Sequence, residues 1–254
     1  MSEVAVITGS SGGIGAALVQ TYMDDGFFVI GLDRYPSNNT AISDYASSFA
    51  ELDVNLHTFA KENSFRAKIL QKIRGLIPVK PTKLVIVNCA AEQILKSVPE
   101  ISWQDWEASF AVNTVAPFFL VQGLVKELEE TSGHVINVSS IHAKLTKANF
   151  TCYAASKSAI EALTRSLALE LSQKGISINA VAPAAIATDM LRAGFIDSPE
   201  KLQELNSYHP SKSIGTPQEA ASFIKAITDH EGGFLTGAVL DIDGGISARL
   251  YDPF

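Results

Sequence analysis

Residues Val4–Val19 read VAVITGSSGGIGAALV: a short β-branched apolar run, a glycine-rich polar break, then apolar residues at helical spacing. A buried strand, a tight turn and an amphipathic helix are the elements such a pattern predicts. Glycines at 9, 13 and 15 let the chain turn sharply and bring backbone amides close to an anion. The helix behind them adds unpaired N–H groups and the positive end of its dipole. The spacing is neither the G-x-G-x-x-G dinucleotide fingerprint nor a Walker loop, since no lysine follows. A plain tight turn would use the same glycines, so the neighbouring segments have to decide.

Working outward, FFVIGLD (27–33), KLVIVNC (83–89), HVINVS (134–139), ISINAV (176–181) and AVLDID (238–243) repeat the short apolar pattern, and a further strand ends at Asp53 in ELDVN (51–55). Most are separated by helix-length segments. Strands alternating with helices predict an α/β chain: a parallel sheet of about seven strands with helices on both faces and right-handed crossovers. No repeat or Pro/Ser-rich linker divides it, so a single domain over 1–254 is expected. Two stretches break the rhythm. Residues 34–48 are polar and turn-rich, a surface excursion, and 189–215 hold short helical fragments broken by Pro and Gly, either a substrate lid or an idle insertion.

Composition narrows the partners. Of 254 residues, 46% are hydrophobic and 19% charged, the balance of an ordinary soluble globule, and the net charge of −7 argues against nucleic acid. Cys89 and Cys152 alone provide neither a disulfide framework nor paired-cysteine metal spacing, so no metal is expected. The start lacks a basic segment followed by an apolar stretch, and no apolar run is long enough for a membrane span, which together predict a cytoplasmic protein.

Asp33 ends the second strand, 18 residues after Gly15, where a carboxylate can accept hydrogen bonds from adenosine ribose hydroxyls and repel a 2′-phosphate. The expected cofactor is therefore NAD, although Arg34 stands where such a phosphate would be met. Asp53, with Val54 beside it, ends the third strand and is a candidate for the adenine amine. Asn88 and Ala90 follow the fourth strand and Ser139 and Ser140 the fifth, at the edge where open parallel sheets bind ligands. For Ser139 a capping role is preferred.

TCYAASKSA (151–159) opens a helix with Tyr153 four residues before Lys157, on one helical face. They are two surface residues at a common spacing, or a phenol and an ammonium aimed at one spot. In the second case the tyrosine exchanges a proton with an alcohol as hydride leaves, and Ser140 holds the developing oxyanion. Lowering a phenol by 2–3 pKa units takes about 3–4 kcal/mol, within reach of a partly buried cation.

At this point the sequence resembles the short-chain dehydrogenase/reductase family, in its compact branch of about 250 residues, over essentially its whole length. The family's T-G-x-x-x-G-x-G stands at Thr8–Gly15, its Y-x-x-x-K at Tyr153–Lys157 and its serine, thirteen residues ahead of the tyrosine, at Ser140. The resemblance implies a Rossmann-like doubly wound fold and a catalytic set of Asn113, Ser140, Tyr153 and Lys157. It implies cofactor contacts at Gly9, Ser11, Gly13, Ile14, Gly15, Asp33, Arg34, Asp53, Val54, Asn88, Ala90, Tyr153, Lys157, Pro183, Ile186 and Thr188. It also implies a homodimer or homotetramer. Two departures, Ala91 and Ala184 for family glycines, predict an altered pocket rather than lost activity.

The expected function is NAD(H)-dependent interconversion of a secondary alcohol and a ketone on a small polar molecule: a sugar, polyol or hydroxy acid. Glu92, Gln93, His142, Lys144, Arg192 and His209 supply polar groups around the site; Met190, Leu191, Phe195 and Ile196 leave an acyl-thioester or steroid carbonyl open. A nucleotide-sensing protein on the same fold is the reading from another class. Retention of Ser140, Tyr153 and Lys157 speaks against it.

Overall fold

The computed structural model describes residues 2–34, 47–195 and 199–250. Most of the polar excursion at 34–48, and Ile196 within 189–215, therefore lie outside the described residues. Seven strands run parallel: β1 (Glu3–Thr8), β2 (Phe28–Asp33), β3 (Phe49–Asp53), β4 (Lys83–Asn88), β5 (His134–Val138), β6 (Ser177–Pro183) and β7 (Val239–Ile242). Their order across the sheet is β3-β2-β1-β4-β5-β6-β7.

Strand periodicity of two explains how one sheet supports two cores. Val4, Val6, Leu84, Ile86 and Val135 face one layer. They pack against α3 (Asn63–Leu76), α5 (Ala116–Gly123) and α7 (Thr151–Leu171) through Ile73, Leu120 and Leu167. The intervening Ala5, Ile7, Val85, Val87 and Ile136 face α1 (Gly13–Asp24) and α10 (Pro217–Asp229), meeting Leu18, Tyr22 and Ile224. Both faces of β1 and β4 are closed to water, which is why those segments read as continuous apolar runs.

The strand order reverses direction between β1 and β4. Connections leaving their carboxyl ends diverge, opening a crevice at that point. Thr8 pairs with Asn88 at the crevice floor, and its Oγ1 accepts the Cys89 and Ala90 amides at 3.0 and 3.1 Å. The glycine turn on one side and Cys89–Ala91 on the other form its walls.

One element departs from expectation. The periodicity predicts a single helix from Trp103 to about Leu128. The structure instead has α4 (Trp103–Phe110), a π-helical turn (Ala111–Val115), α5 and α6 (Val125–Glu130). Pro117 has no N–H for the Asn113 carbonyl, so the α-helical ladder cannot continue there. The Ala116 N–H reaches Ala111 instead, five residues back. After β6, α8 (Asp189–Ala193) and α9 (Pro199–Tyr208) form an excursion pinned at its base. The Gly215 N–H donates to the Ala185 carbonyl, and Gly215's own carbonyl accepts from Ala187, both at 2.9 Å.

Candidate active site

A cleft of about 1030 Å³ lies over the carboxyl edge of the sheet and runs from the glycine turn to α8 and α9. At one end Gly9 adopts φ +70°, and a Cβ there would fall 2.8 Å from the Ala90 Cα. At Gly15 a Cβ would lie 2.7 Å from the Gly9 carbonyl carbon and closer still to its oxygen. These two positions draw the turn tight against β4. Helix α1 begins at Gly12 with no side-chain cap, which leaves its first N–H groups facing the cleft end where Gly12–Gly15 line the wall.

Three carboxylates gather beside this turn. Asp33 accepts the Ser11 amide at 3.0 Å. Glu51, facing Gly31 across β2 and β3, accepts the Ser10 and Ser11 hydroxyls at 3.2 and 3.0 Å. Glu92 pairs with Arg34 at 3.5 Å. The sequence offered a signal for Glu51 that was missed: it stands two residues from Asp53 on a strand, hence on the same face.

At the other end, Tyr153 and Lys157 project from the first turns of α7 under Ser140. Ser140 lies beside the Tyr153 phenol and favours its ionised form, and the Ser140 Oγ accepts the His142 amide at 3.2 Å. Lys157 is buried beside them: Nζ donates to the Val138 carbonyl at 2.7 Å and lies 5.6 Å from the Tyr153 ring centre. The spacing on the helix therefore does correspond to convergence. His142 stacks on Phe150, 4.2 Å between ring centres, and meets Tyr153 edge-on.

The electrostatics run opposite to the expectation of an acidic phenol. Burial raises Tyr153 to about 12, with the neighbouring Ser140 working the other way. Burial also lowers Lys157 to about 8. The ammonium bonds a backbone carbonyl and sits over the ring face rather than at the hydroxyl, so desolvation dominates. Cys89 in the same wall is a neutral thiol, pushed up to about 12 by burial.

Lysine burial has a measurable consequence. The unfolded chain holds the Lys157 proton up to about 10.5, whereas the folded chain releases it near 8. The unfolded state thus binds more protons across that window, so this contribution to stability rises with pH there and is lost below it. At pH 7 the cation costs about 3 kcal/mol. Lys157→Met should therefore raise the melting temperature at pH 7 by about 5 °C in calorimetry, even after losing about 1 kcal/mol with the Val138 hydrogen bond. A lower melting temperature would show that the hydrogen bond outweighs desolvation.

Of the residues singled out in the sequence, Gly9, Ser11, Gly13, Ile14, Gly15, Asp33, Arg34, Val54, Ala90, Ser140, Tyr153, Lys157, Pro183, Ile186 and Thr188 line the cleft. Asp53, Asn88 and Asn113 do not. The Asn88 amide donates to Asn137 at 2.8 Å between β4 and β5, so its side chain joins strands instead of reaching the cofactor position. Asn113 accepts the Glu92 amide at 2.7 Å. Its own amide donates to the Glu92 carbonyl at 2.9 Å and to the Ser156 hydroxyl at 2.8 Å. It thereby clamps the loop after β4 to α7, and Ser156 is a member of that clamp which sequence reasoning missed. Ser139 lines the cleft too, and its hydroxyl, rather than capping the strand end, donates to Glu161 at 2.9 Å and to the Lys157 carbonyl at 3.3 Å on α7. Lys144 leaves the rim to pair with Asp241, whereas Glu92, Gln93, His142 and His209 remain in the wall.

Among known proteins, a family profile described as short chain dehydrogenase matches residues 3–197. The NADPH-dependent aldehyde reductase 1, chloroplastic, of Arabidopsis thaliana is 31% identical over 96% of this chain and 85% of its own. Glucose 1-dehydrogenase of Gluconobacter oxydans is 29% identical over 98% and 92%. The solved structure of 4-hydroxyisoleucine dehydrogenase complexed with NADH superposes with a TM-score of 0.84 at 26% identity, covering 98% of this chain and all of that one.

Proposed function

Since this chain belongs to the short-chain dehydrogenase family and is an oxidoreductase acting on CH–OH groups, we propose that it interconverts a secondary alcohol and a ketone with NAD(H), on a small hydroxylated substrate, through Ser140, Tyr153 and Lys157. The observation that carries this reading is Tyr153 set beside Ser140 with the buried Lys157 against its ring, in the same cleft as the glycine turn.

The chain fits a dinucleotide. The uncapped start of α1 and the close approach of Gly9 to Ala90 suit a pyrophosphate, while Ile186 and Thr188 stand in the wall facing α1. Such a cofactor, when bound, supplies the hydride acceptor or donor. Ser140 Oγ, already receiving the His142 amide, holds the substrate oxygen. The Tyr153 hydroxyl gives its proton to that oxygen as a ketone is reduced, and takes one back as an alcohol is oxidised. At neutral pH the free chain carries the phenol protonated, so the reducing direction needs no prior ionisation. Lys157, cationic below about 8, lies against the ring face with Nζ on the Val138 carbonyl and so fixes the phenol in place for the other direction. The single-domain reading is kept, with 189–215 as the substrate lid over the cleft.

The preference for NAD rests on charge. Asp33 and Glu51 flank the glycine turn where a 2′-phosphate would stand, and Arg34 is paired with Glu92. Titration of the purified protein should show NADH binding at least about tenfold more tightly than NADPH, the order of one like-charge contact; equal affinities would refute it. The polar substrate is supported by Glu92, Gln93 and His142 in the wall. A second reading, a steroid- or acyl-type carbonyl reductase, is favoured by Met190, Leu191 and Phe195 opposite them. Following the NADH absorbance band with polyols, sugars, hydroxy acids, steroids and acyl thioesters separates the two, and turnover of none would overturn both.

A further inference from the structure

His209 follows α9 and contributes to the cleft wall beside Leu205 and Ile246, well along the chain from the reacting groups. It is 2% exposed. Its orientation is fixed from several sides. Its amide donates to the Asn206 carbonyl at 3.2 Å, its carbonyl accepts Lys212 at 2.9 Å, and Ser211 ties the same turn to Gly244 at 3.0 Å. Nδ1 lies 2.9 Å from the Leu205 carbonyl oxygen. A carbonyl can only accept, so Nδ1 carries the proton. Nε2 has no hydrogen-bond partner among the described residues and is covered in the free chain, so a ligand must displace part of the cleft wall to reach it. An orphaned buried imidazole nitrogen is destabilising in the free chain, and a ligand that pairs with it recovers that loss.

We propose that His209 Nε2 binds a second hydroxyl of the substrate, distinct from the carbinol held by Ser140 and Tyr153, and so selects diols and hydroxyketones over simple alcohols. This rests on the alcohol–ketone reading above. A hydroxyl both donates and accepts, so it pairs with Nε2 whether the ring is neutral or cationic. An anionic group is disfavoured by Asp243, in the turn packed on His209. Burial acts to raise the Asp243 carboxyl, but hydrogen bonds from Ser247 and Gly245, together with the nearby imidazole, hold it below its ordinary value. It remains an anion close to the site, which separates a polyol or sugar from a hydroxy acid. Leu145, Met190, Leu191 and Phe195 line the same cleft and offer the substrate carbon skeleton apolar surface.

The test compares kcat/KM for cyclohexanol with that for cyclohexane-1,2-, 1,3- and 1,4-diol, with NAD in excess. At least one diol should exceed cyclohexanol by about 10- to 100-fold, the discrimination expected when a buried polar group is left unpaired by the poorer substrate. His209→Leu should erase that ratio. His209→Gln, which can place a polar atom near the Nε2 position, should restore most of it, whereas His209→Asn, one carbon shorter, should not. Melting curves and NADH titration confirm that each variant is folded. Should His209→Leu not fold, the Gln and Asn variants alone decide. No diol preference in the wild type, equal ratios in all variants, or turnover of none of the four with NADH binding intact would overturn the assignment. Failure to bind NADH at all would instead refute the NAD-dependent alcohol–ketone reading beneath it.

Discussion

Tyr153→Phe should lower turnover by about a thousandfold while changing NADH affinity by less than about twofold. The phenyl ring fills the same 8% exposed site, keeps its edge contacts with His142 and Phe150, and loses only the hydroxyl beside Ser140. Without it, no group at Ser140 exchanges a proton with the substrate oxygen on the hydride's timescale. Initial rates at saturating cofactor, with NADH binding followed by fluorescence, check both halves. A variant turning over at wild-type rate would remove the tyrosine from the mechanism. A variant that also lost NADH would show that the hydroxyl serves binding. Because burial lifts the phenol to about 12, the wild-type oxidation rate should still be rising at pH 9, while the reduction rate should not require that rise.

Gly15→Ala should have the next largest effect: at least a hundredfold loss of NADH affinity with a melting temperature lowered by several degrees. The added methyl would press on the Gly9 carbonyl, which is backbone and cannot rotate aside. Relief requires the turn to move away from α1. Gly9 already sits at φ +70° against Ala90, so it has no room to retreat. Isothermal titration with NADH and differential scanning calorimetry measure the two effects, and an unchanged affinity would place the pyrophosphate elsewhere. Gly26, where a side chain would meet nothing within 4 Å but φ is +85°, serves as a control for strain without crowding.

β1, β2, β4, β5 and β6 were legible because burial on both faces selects β-branched runs irrespective of neighbours. β4, predicted at 83–89, spans 83–88, and β5, predicted at 134–139, spans 134–138. The break in the helix after Trp103 was not legible, because its apolar spacing continues through Asn113 and Pro117. Pro117 leaves the Asn113 carbonyl without an α-helical partner, and the pairing of the Asn113 side chain with Glu92 and Ser156 adds a tertiary hold on the same turn. Asn88 was misplaced for a similar reason. A strand-end asparagine has two faces to choose from, and the choice depends on Asn137 in a strand 49 residues away.

Period and spacing are local quantities. For that reason the amino-acid order alone determined the alternation of elements, the glycine turn behind β1, and the shared face of Tyr153 and Lys157. Burial is a property of the packed whole, and it alone decided that Tyr153 is raised and Lys157 lowered in the free chain. Long-range contact likewise decided that Glu51 braces the turn and that His209 leaves a nitrogen unpaired in the cleft wall. Desolvation and pairing energies depend on which distant segments exclude water from a group, and no window of sequence contains that information.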